Sequence, residues 1–158
     1  PRSVGHTPCY YNHKPSARRG YLFDEVSPLF AFGYGLSYTS FETTNVRLEK
    51  SVIRVGESTR VLVDVKNSGN RRGDEVVQLY IRDVVSSVTR PVKELKGFLR
   101  LTLDPGEGRT VALDITPDSL AFYDIDMSFR MEPGEFRIMV GNSSRDEDPA
   151  TVVLTVTP

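Results

Sequence analysis

The sequence predicts an all-β fold: an immunoglobulin-like or fibronectin type III-like antiparallel β-sandwich of about seven strands, with an extended irregular N-terminal arm. Three observations carry this. Nineteen Val and twelve Thr stand against five Ala, a balance that favours strands over helices. From about residue 45 apolar residues alternate with polar ones, the period of a half-buried strand. Between these runs lie turns built from Pro, Gly and Asn.

In chain order, Val46 and Leu48 open the series, with Val52 at its margin. Val61, Val63 and Val65 alternate with Leu62, Asp64 and Lys66. The turn Asn67-Ser68-Gly69-Asn70 ends that run. Val77, Leu79 and Ile81 then alternate with Gln78, Tyr80 and Arg82, which makes Tyr80 an outward-facing ring. Leu99, Leu101 and Leu103 continue a strand that starts around Lys93 to Phe98. Asp104-Pro105-Gly106-Glu107 places Pro where φ is held near −65° and Gly where φ must be positive, and Glu132-Pro133-Gly134-Glu135 repeats the arrangement. Val111, Leu113 and Ile115 form the next strand, then Phe136, Ile138 and Val140, and last Val152, Leu154 and Val156. The sandwich is assigned to residues 45–158.

Residues 1–44 differ in kind. They hold Tyr10, Tyr11, Tyr21, Phe23, Phe30, Phe32, Tyr34, Tyr38 and Phe41, interrupted by Pro8, Pro15 and Pro28. Such a stretch is too aromatic for a solvated linker and too irregular for a domain. It reads as an arm that packs on a body outside this chain, or folds back. In Pro28 to Phe41, the residues Phe30, Phe32, Tyr34, Leu36 and Tyr38 share parity, so an extended backbone places them on one side. Gly33 and Gly35 leave the other side bare for a second backbone. The stripe is read as a docking face for a neighbouring domain, with stacking on sugar rings as the alternative.

Composition narrows the functional classes. Twenty Lys plus Arg against twenty-one Asp plus Glu give a net charge of −1 over 158 residues, which lacks the basic footprint of a nucleic-acid binder. Arg18-Arg19 and Arg71-Arg72 are short pairs only. No apolar run is long enough to span a membrane. The chain starts Pro1-Arg2-Ser3 without an initiator Met, and so reads as a piece of something longer. A single cysteine, Cys9, precludes an internal disulfide. Asn142-Ser143-Ser144 fits a glycosylation acceptor, a pattern common by chance.

Paired carboxylates would suit glycoside hydrolysis. The available groups are Asp24-Glu25, Asp74-Glu75, Asp124 with Asp126, and Asp146-Glu147-Asp148. All fall in or beside predicted turns, where solvated or capping carboxylates are the default. His6, Cys9 and His13 form an H-x2-C-x3-H cluster, but a structural zinc normally takes four ligands and no other His or Cys exists. Nucleophile elbows and phosphate loops are absent, and Phe32-Gly33-Tyr34-Gly35-Leu36 lacks the third Gly of a nucleotide fingerprint. No catalytic, cofactor-binding or metal residue is assigned, and no cofactor is expected.

Phe32-Gly33-Tyr34-Gly35-Leu36-Ser37-Tyr38-Thr39 resembles the hallmark of glycoside hydrolase family 3 at the entry to its C-terminal fibronectin type III-like domain. Pro1 to Pro8 is similar to the end of that family's α/β sandwich domain, and Tyr10-Tyr11-Asn12-His13-Lys14-Pro15 to its linker. Gly73 to Tyr80, Pro91 to Phe98, Leu120 to Asp124 and Glu132 to Phe136 resemble its sandwich strands. His6 stands where the family often has Gln, and Phe129 where it often has Trp. The resemblance implies a non-catalytic accessory piece of a retaining exo-acting β-glucosidase or β-xylosidase, secreted or periplasmic, with the catalytic residues in upstream domains. It would brace the barrel and α/β domains, docking through Phe30, Phe32, Tyr34 and Tyr38, and shape the mouth of the site or an oligomer contact. The alternative is a module that binds plant polysaccharide directly.

Overall fold

The computed structural model describes residues 1–6, 8–15, 26–145 and 150–158. Arg18-Arg19, Tyr21, Phe23, Asp24-Glu25 and Asp146-Glu147-Asp148 lie outside the described residues. Seven strands have eight or more residues: β1 (Phe41–Leu48), β3 (Thr59–Asn67), β4 (Gly73–Asp83), β5 (Glu94–Leu103), β6 (Gly108–Ile115), β9 (Gly134–Gly141) and β10 (Ala150–Thr157). Three short ones, β2 (Val52–Arg54), β7 (Phe122–Tyr123) and β8 (Phe129–Arg130), join them, with a single helical turn α1 (Pro117–Leu120). The strands form a sheet β1-β3-β6, a facing sheet β2-β10-β9-β4-β5, and the separate hairpin β7-β8.

The predicted alternation builds the core. Val61, Val63 and Val65 of β3 and Val111, Leu113 and Ile115 of β6 are buried against Val77, Leu79, Ile81, Phe136, Ile138, Leu154 and Val156 of the other sheet. Burial of this kind is the main favourable term, about 1.5–3 kcal/mol for each large apolar side chain. Leu101 and Leu103 join this core, while Leu99 is exposed.

Four features depart from the sequence expectation. First, Gln78 and Tyr80 are buried as fully as Val77, Leu79 and Ile81, because the N-terminal arm lies over the outer face of β4. Tyr80 is therefore not an outward ring. Second, β2 pairs in parallel with β10, Val52 opposite Thr155, and Ile53 rather than Val52 faces the core. The chain crosses between sheets after β1, so β2 meets the second sheet at its free edge. Third, the unanticipated α1 starts from a capping box between Thr116 and Ser119, with Pro117 at its first turn. Fourth, Gly134 opens β9 opposite Val156, whereas Asp104–Glu107 closes as predicted, with Glu107 N 3.0 Å from Asp104 O and Gly106 at φ 78°.

Candidate functional site

The arm's course is decided by one turn. Tyr34 N donates to Ala31 O at 3.1 Å, and Gly33, at φ 78°, supplies the left-handed residue the turn needs. This bend breaks the parity expected for an extended stripe, because the alternation of faces holds only while the backbone stays extended. Phe32 turns back over the sandwich, where its ring stacks on Tyr11 at 4.2 Å and 12°. Tyr11 in turn meets Tyr80 edge-on at 6.0 Å. Phe30, Tyr34, Leu36 and Tyr38 are 65%, 40%, 89% and 92% exposed, and Phe32 itself keeps 47% of its surface in solvent. Phe30 and Tyr34 lie ring to ring at 5.7 Å, and the Arg145 guanidinium sits over Tyr34 at 5.5 Å.

Beneath the turn is a buried polar network. Gln78 Nε2 donates to Gly33 O at 3.0 Å and to Asn142 O at 2.7 Å. Gln78 Oε1 accepts the Tyr80 hydroxyl at 2.5 Å. Burial, with Tyr11 nearby, pushes the Tyr80 phenol up to about 12, so it stays a proton donor. Ser144 N donates to Phe32 O, and the buried Lys93 Nζ to Ser144 O, both at 2.8 Å. Val92 N donates to His13 O at 2.9 Å, and Leu95 N to the Tyr11 hydroxyl at 3.3 Å. A Cβ on Gly33 would fall 2.1 Å from Gln78 Oε1, so only glycine lets the arm sit this close. A cleft of about 540 Å³ remains between arm and sandwich, its wall including Tyr10, Phe30, Lys93 and Arg145.

A second knot fixes the arm's end. Asn67 is fully buried, and its Oδ1 accepts from Thr39 Oγ1 at 2.7 Å and Gly69 N at 3.1 Å. Its Nδ2 donates to Arg71 O at 2.7 Å and Leu103 O at 3.0 Å. The bare Cα of Gly69 makes room, since a Cβ there would lie 2.2 Å from Thr39 Oγ1.

Among the described residues, Asp74 and Asp124 of the candidate carboxylates make local hydrogen bonds and ion pairs. Asp74 and Glu75 are successive on β4 and so face opposite sides. Asp74 accepts from Thr102 and Arg100, and the Thr102 hydrogen bond, more than Arg100, holds its pKa down. Burial raises that of Glu75. Asp124 is buried, not solvated, and its Oδ1 accepts the Asp126 amide at 2.9 Å. His6, Cys9 and His13 turn to separate partners: the Arg2 amide, Val26 O and Lys14 O.

The loop of residues 84–93 leads from β4 towards the arm. At its start Asp83 Oδ2 is buried without a hydrogen-bond partner. Burial raises the Asp83 pKa to about 6, Glu132 adds to the rise and Arg90 opposes it. The unfolded value is near 4, so folding favours the protonated acid. Its contribution is present below pH 4 and is lost as pH rises through about 6. Asp83→Asn is expected to leave stability unchanged near pH 4 and raise it by about 1 kcal/mol at pH 7.5, solvent screening having trimmed the effect. Urea unfolding at both pH values checks this; equal gains at both would sink it.

Sequence reasoning missed Gln78, Lys93 and Asn67 as the residues that seat the arm. Gly33 was the usable signal, since a bare backbone beside aromatic residues needs a neighbour close by.

The model of the fibronectin type III-like domain matches residues 75–144. A β-xylosidase from Formosa agariphila is 45% identical over 160 residues, covering 99% of this chain and 22% of that protein. A periplasmic β-glucosidase from Salmonella typhimurium is 41% identical, over 91% of this chain and 20% of that protein. Among solved structures, a β-glucosidase from Erythrobacter marinus superposes with a TM-score of 0.92 at 41% identity, covering 98% of this chain and 20% of that one. The chain thus spans about a fifth of the length of the relatives it matches.

Proposed function

The chain carries the fibronectin type III-like domain of family 3 β-xylosidases and β-glucosidases, and on that premise we propose that it is a non-catalytic accessory domain of a retaining, exo-acting β-glycosidase. Its task is to stabilise the catalytic barrel and α/β domains of that enzyme. The observation that carries this reading is the arm. Gln78 holds its Gly33 carbonyl and Asn67 its Thr39 hydroxyl, while Phe30, Phe32, Tyr34, Leu36 and Tyr38 stay exposed. A contiguous apolar surface held rigidly in water is the mark of a protein contact. Phe32 rests one face on Tyr11 and stays 47% exposed, so it belongs to the docking face with Phe30, Tyr34 and Tyr38.

The test is reconstitution. The chain alone is expected to turn over neither aryl β-glucosides nor aryl β-xylosides, and to migrate unretarded through a xylan gel. Added to the remaining polypeptide of the longer enzyme, it is expected to lengthen the half-life of activity at elevated temperature at least tenfold. Phe30→Ser with Tyr38→Ser should abolish that gain. Turnover by the purified chain, or a half-life indifferent to it, would refute the proposal.

A further inference from the structure

The β7-β8 hairpin is braced far beyond what a surface turn needs. Asp124 Oδ1 accepts the amides of Asp126 and Ser128, both at 2.9 Å. Met127 N donates to Asp124 O, and Asp124 N to Ser128 O, each at 3.1 Å. Arg130 Nε lies 2.6 Å from the buried Asp124 Oδ2, and Phe122 is buried at the base. Yet this stiff turn presents apolar groups to water. Ile125 and Met127 are 82% and 73% exposed, with Tyr123 and Phe129 exposed behind them.

Met127 is the sharper anomaly. Its φ of 60° is left-handed, a conformation that glycine and asparagine fill at little cost and other side chains resist. Among the described residues the other non-glycine with positive φ is Asn45, at 54°, whose Nδ2 donates to Asp64 Oδ2 at 2.7 Å. A methionine side chain has no donor with which to make such a bond. Strained backbone that carries an exposed apolar side chain is the arrangement of a contact residue.

We propose that this hairpin is a second docking element, and that Ile125 and Met127 insert into an apolar socket on the catalytic body that the arm also meets. The inference rests on the accessory-domain reading above. Three observations select this occupant. The Tyr123 and Phe129 rings are inclined at 48° with centroids 5.1 Å apart, so they offer no common plane for a sugar, and the most exposed groups are aliphatic. The matched relatives are about five times longer than this chain, which places most of the partner surface outside it. Finally, hairpin and arm are both tied to the loop of residues 84–93. Glu132, just beyond β8, accepts from the Ser87 amide and hydroxyl, and the Arg90 guanidinium lies 4.7 Å over Phe122. At the far end Val92 N bonds His13 O of the arm. A body seated on the arm reaches the hairpin across this one loop.

Photo-cross-linking in the longer polypeptide tests this, with benzoylphenylalanine at position 125 and, in parallel, at position 38. Links from both positions to residues outside 1–158 of the same polypeptide are the expected result. Links from 38 alone overturn the hairpin's role and spare the arm's. Links from 125 only to a second copy, seen as doubled mass, overturn it as well. Loss at both positions removes the reading on which it rests. Met127→Gly serves as the folding-competent variant: it should raise the thermal midpoint of the 158-residue chain, by relieving φ, yet speed protease release of the domain from the longer enzyme at least tenfold. Unchanged release would count against the hairpin.

Discussion

Asn67→Leu is expected to destabilise the domain by about 3–4 kcal/mol, because it deletes four side-chain hydrogen bonds without changing the volume much. Asn67 uses its whole capacity, two acceptor and two donor positions, on Thr39, Gly69, Arg71 and Leu103. Its backbone adds two more ties, from Asn67 N to Glu107 O and from Gly106 N to Asn67 O, both 2.9 Å. One side chain thus joins the arm, the β3-β4 turn and the end of β5. Leucine leaves the Leu103 carbonyl buried and unpaired, and each such group costs about 1–3 kcal/mol. Asn67→Asp discriminates further. It keeps both acceptances but sets a buried carboxylate against two carbonyl oxygens, so it should be worse than Leu at pH 7. It should recover in part at pH 4, where the acid is protonated and donates again. Urea unfolding measures both variants; a loss below about 1 kcal/mol for Leu would show that water replaces the bonds at little cost.

Gly33→Ala should detach the arm while leaving the sandwich folded. The substitution meets two obstacles at once: a left-handed φ of 78° and a Cβ only 2.1 Å from Gln78 Oε1. Either Gln78 moves, abandoning its bonds to Gly33 and Asn142, or the turn opens. The turn is the weaker partner, since the arm is held by a few hydrogen bonds and the Tyr11–Phe32–Tyr80 ring contacts, while β4 is paired on both sides. Local opening free energies follow such differences in contact. Cleavage within residues 10–40 should therefore accelerate at least 100-fold, as expected for a loss of about 3 kcal/mol in docking. The thermal midpoint of the sandwich should shift only slightly. Amide exchange at Leu95, whose N–H meets the Tyr11 hydroxyl, reports the same event by a second route. Unaltered proteolysis with a lowered midpoint would show that arm and sandwich unfold as one unit.

The core was legible in the sequence because a strand with one wet face writes its burial as alternation. Val61, Val63 and Val65 obey that code, as do Phe136, Ile138 and Val140. The outer face of β4 does not, because its cover comes from 45 residues away, where Gly33 meets Gln78. A local pattern cannot report a distant lid. The arm's exposed aromatics could be read at once, but not the turn at Gly33 or the seat of Phe32 on Tyr11, since that contact joins residues far apart in the sequence. The hairpin stayed hidden for a related reason. Ile125 and Met127 lie in a turn whose left-handed residue is not a glycine, so neither periodicity nor turn chemistry marks it.

The order of the larger sheet has a further consequence. β5 is its terminal strand, and a terminal strand offers unpaired backbone groups that can template stacking between molecules. Here the Tyr11 hydroxyl and His13 carbonyl occupy the Leu95 and Val92 amides. A bulge at Leu79/Tyr80 distorts the pairing beside them, and Lys96 and Arg100 add charge farther along. Phe98 remains bare on this strand. The arm thus occupies two amides at this edge, and a chain that sheds it would leave them free to pair with a second copy.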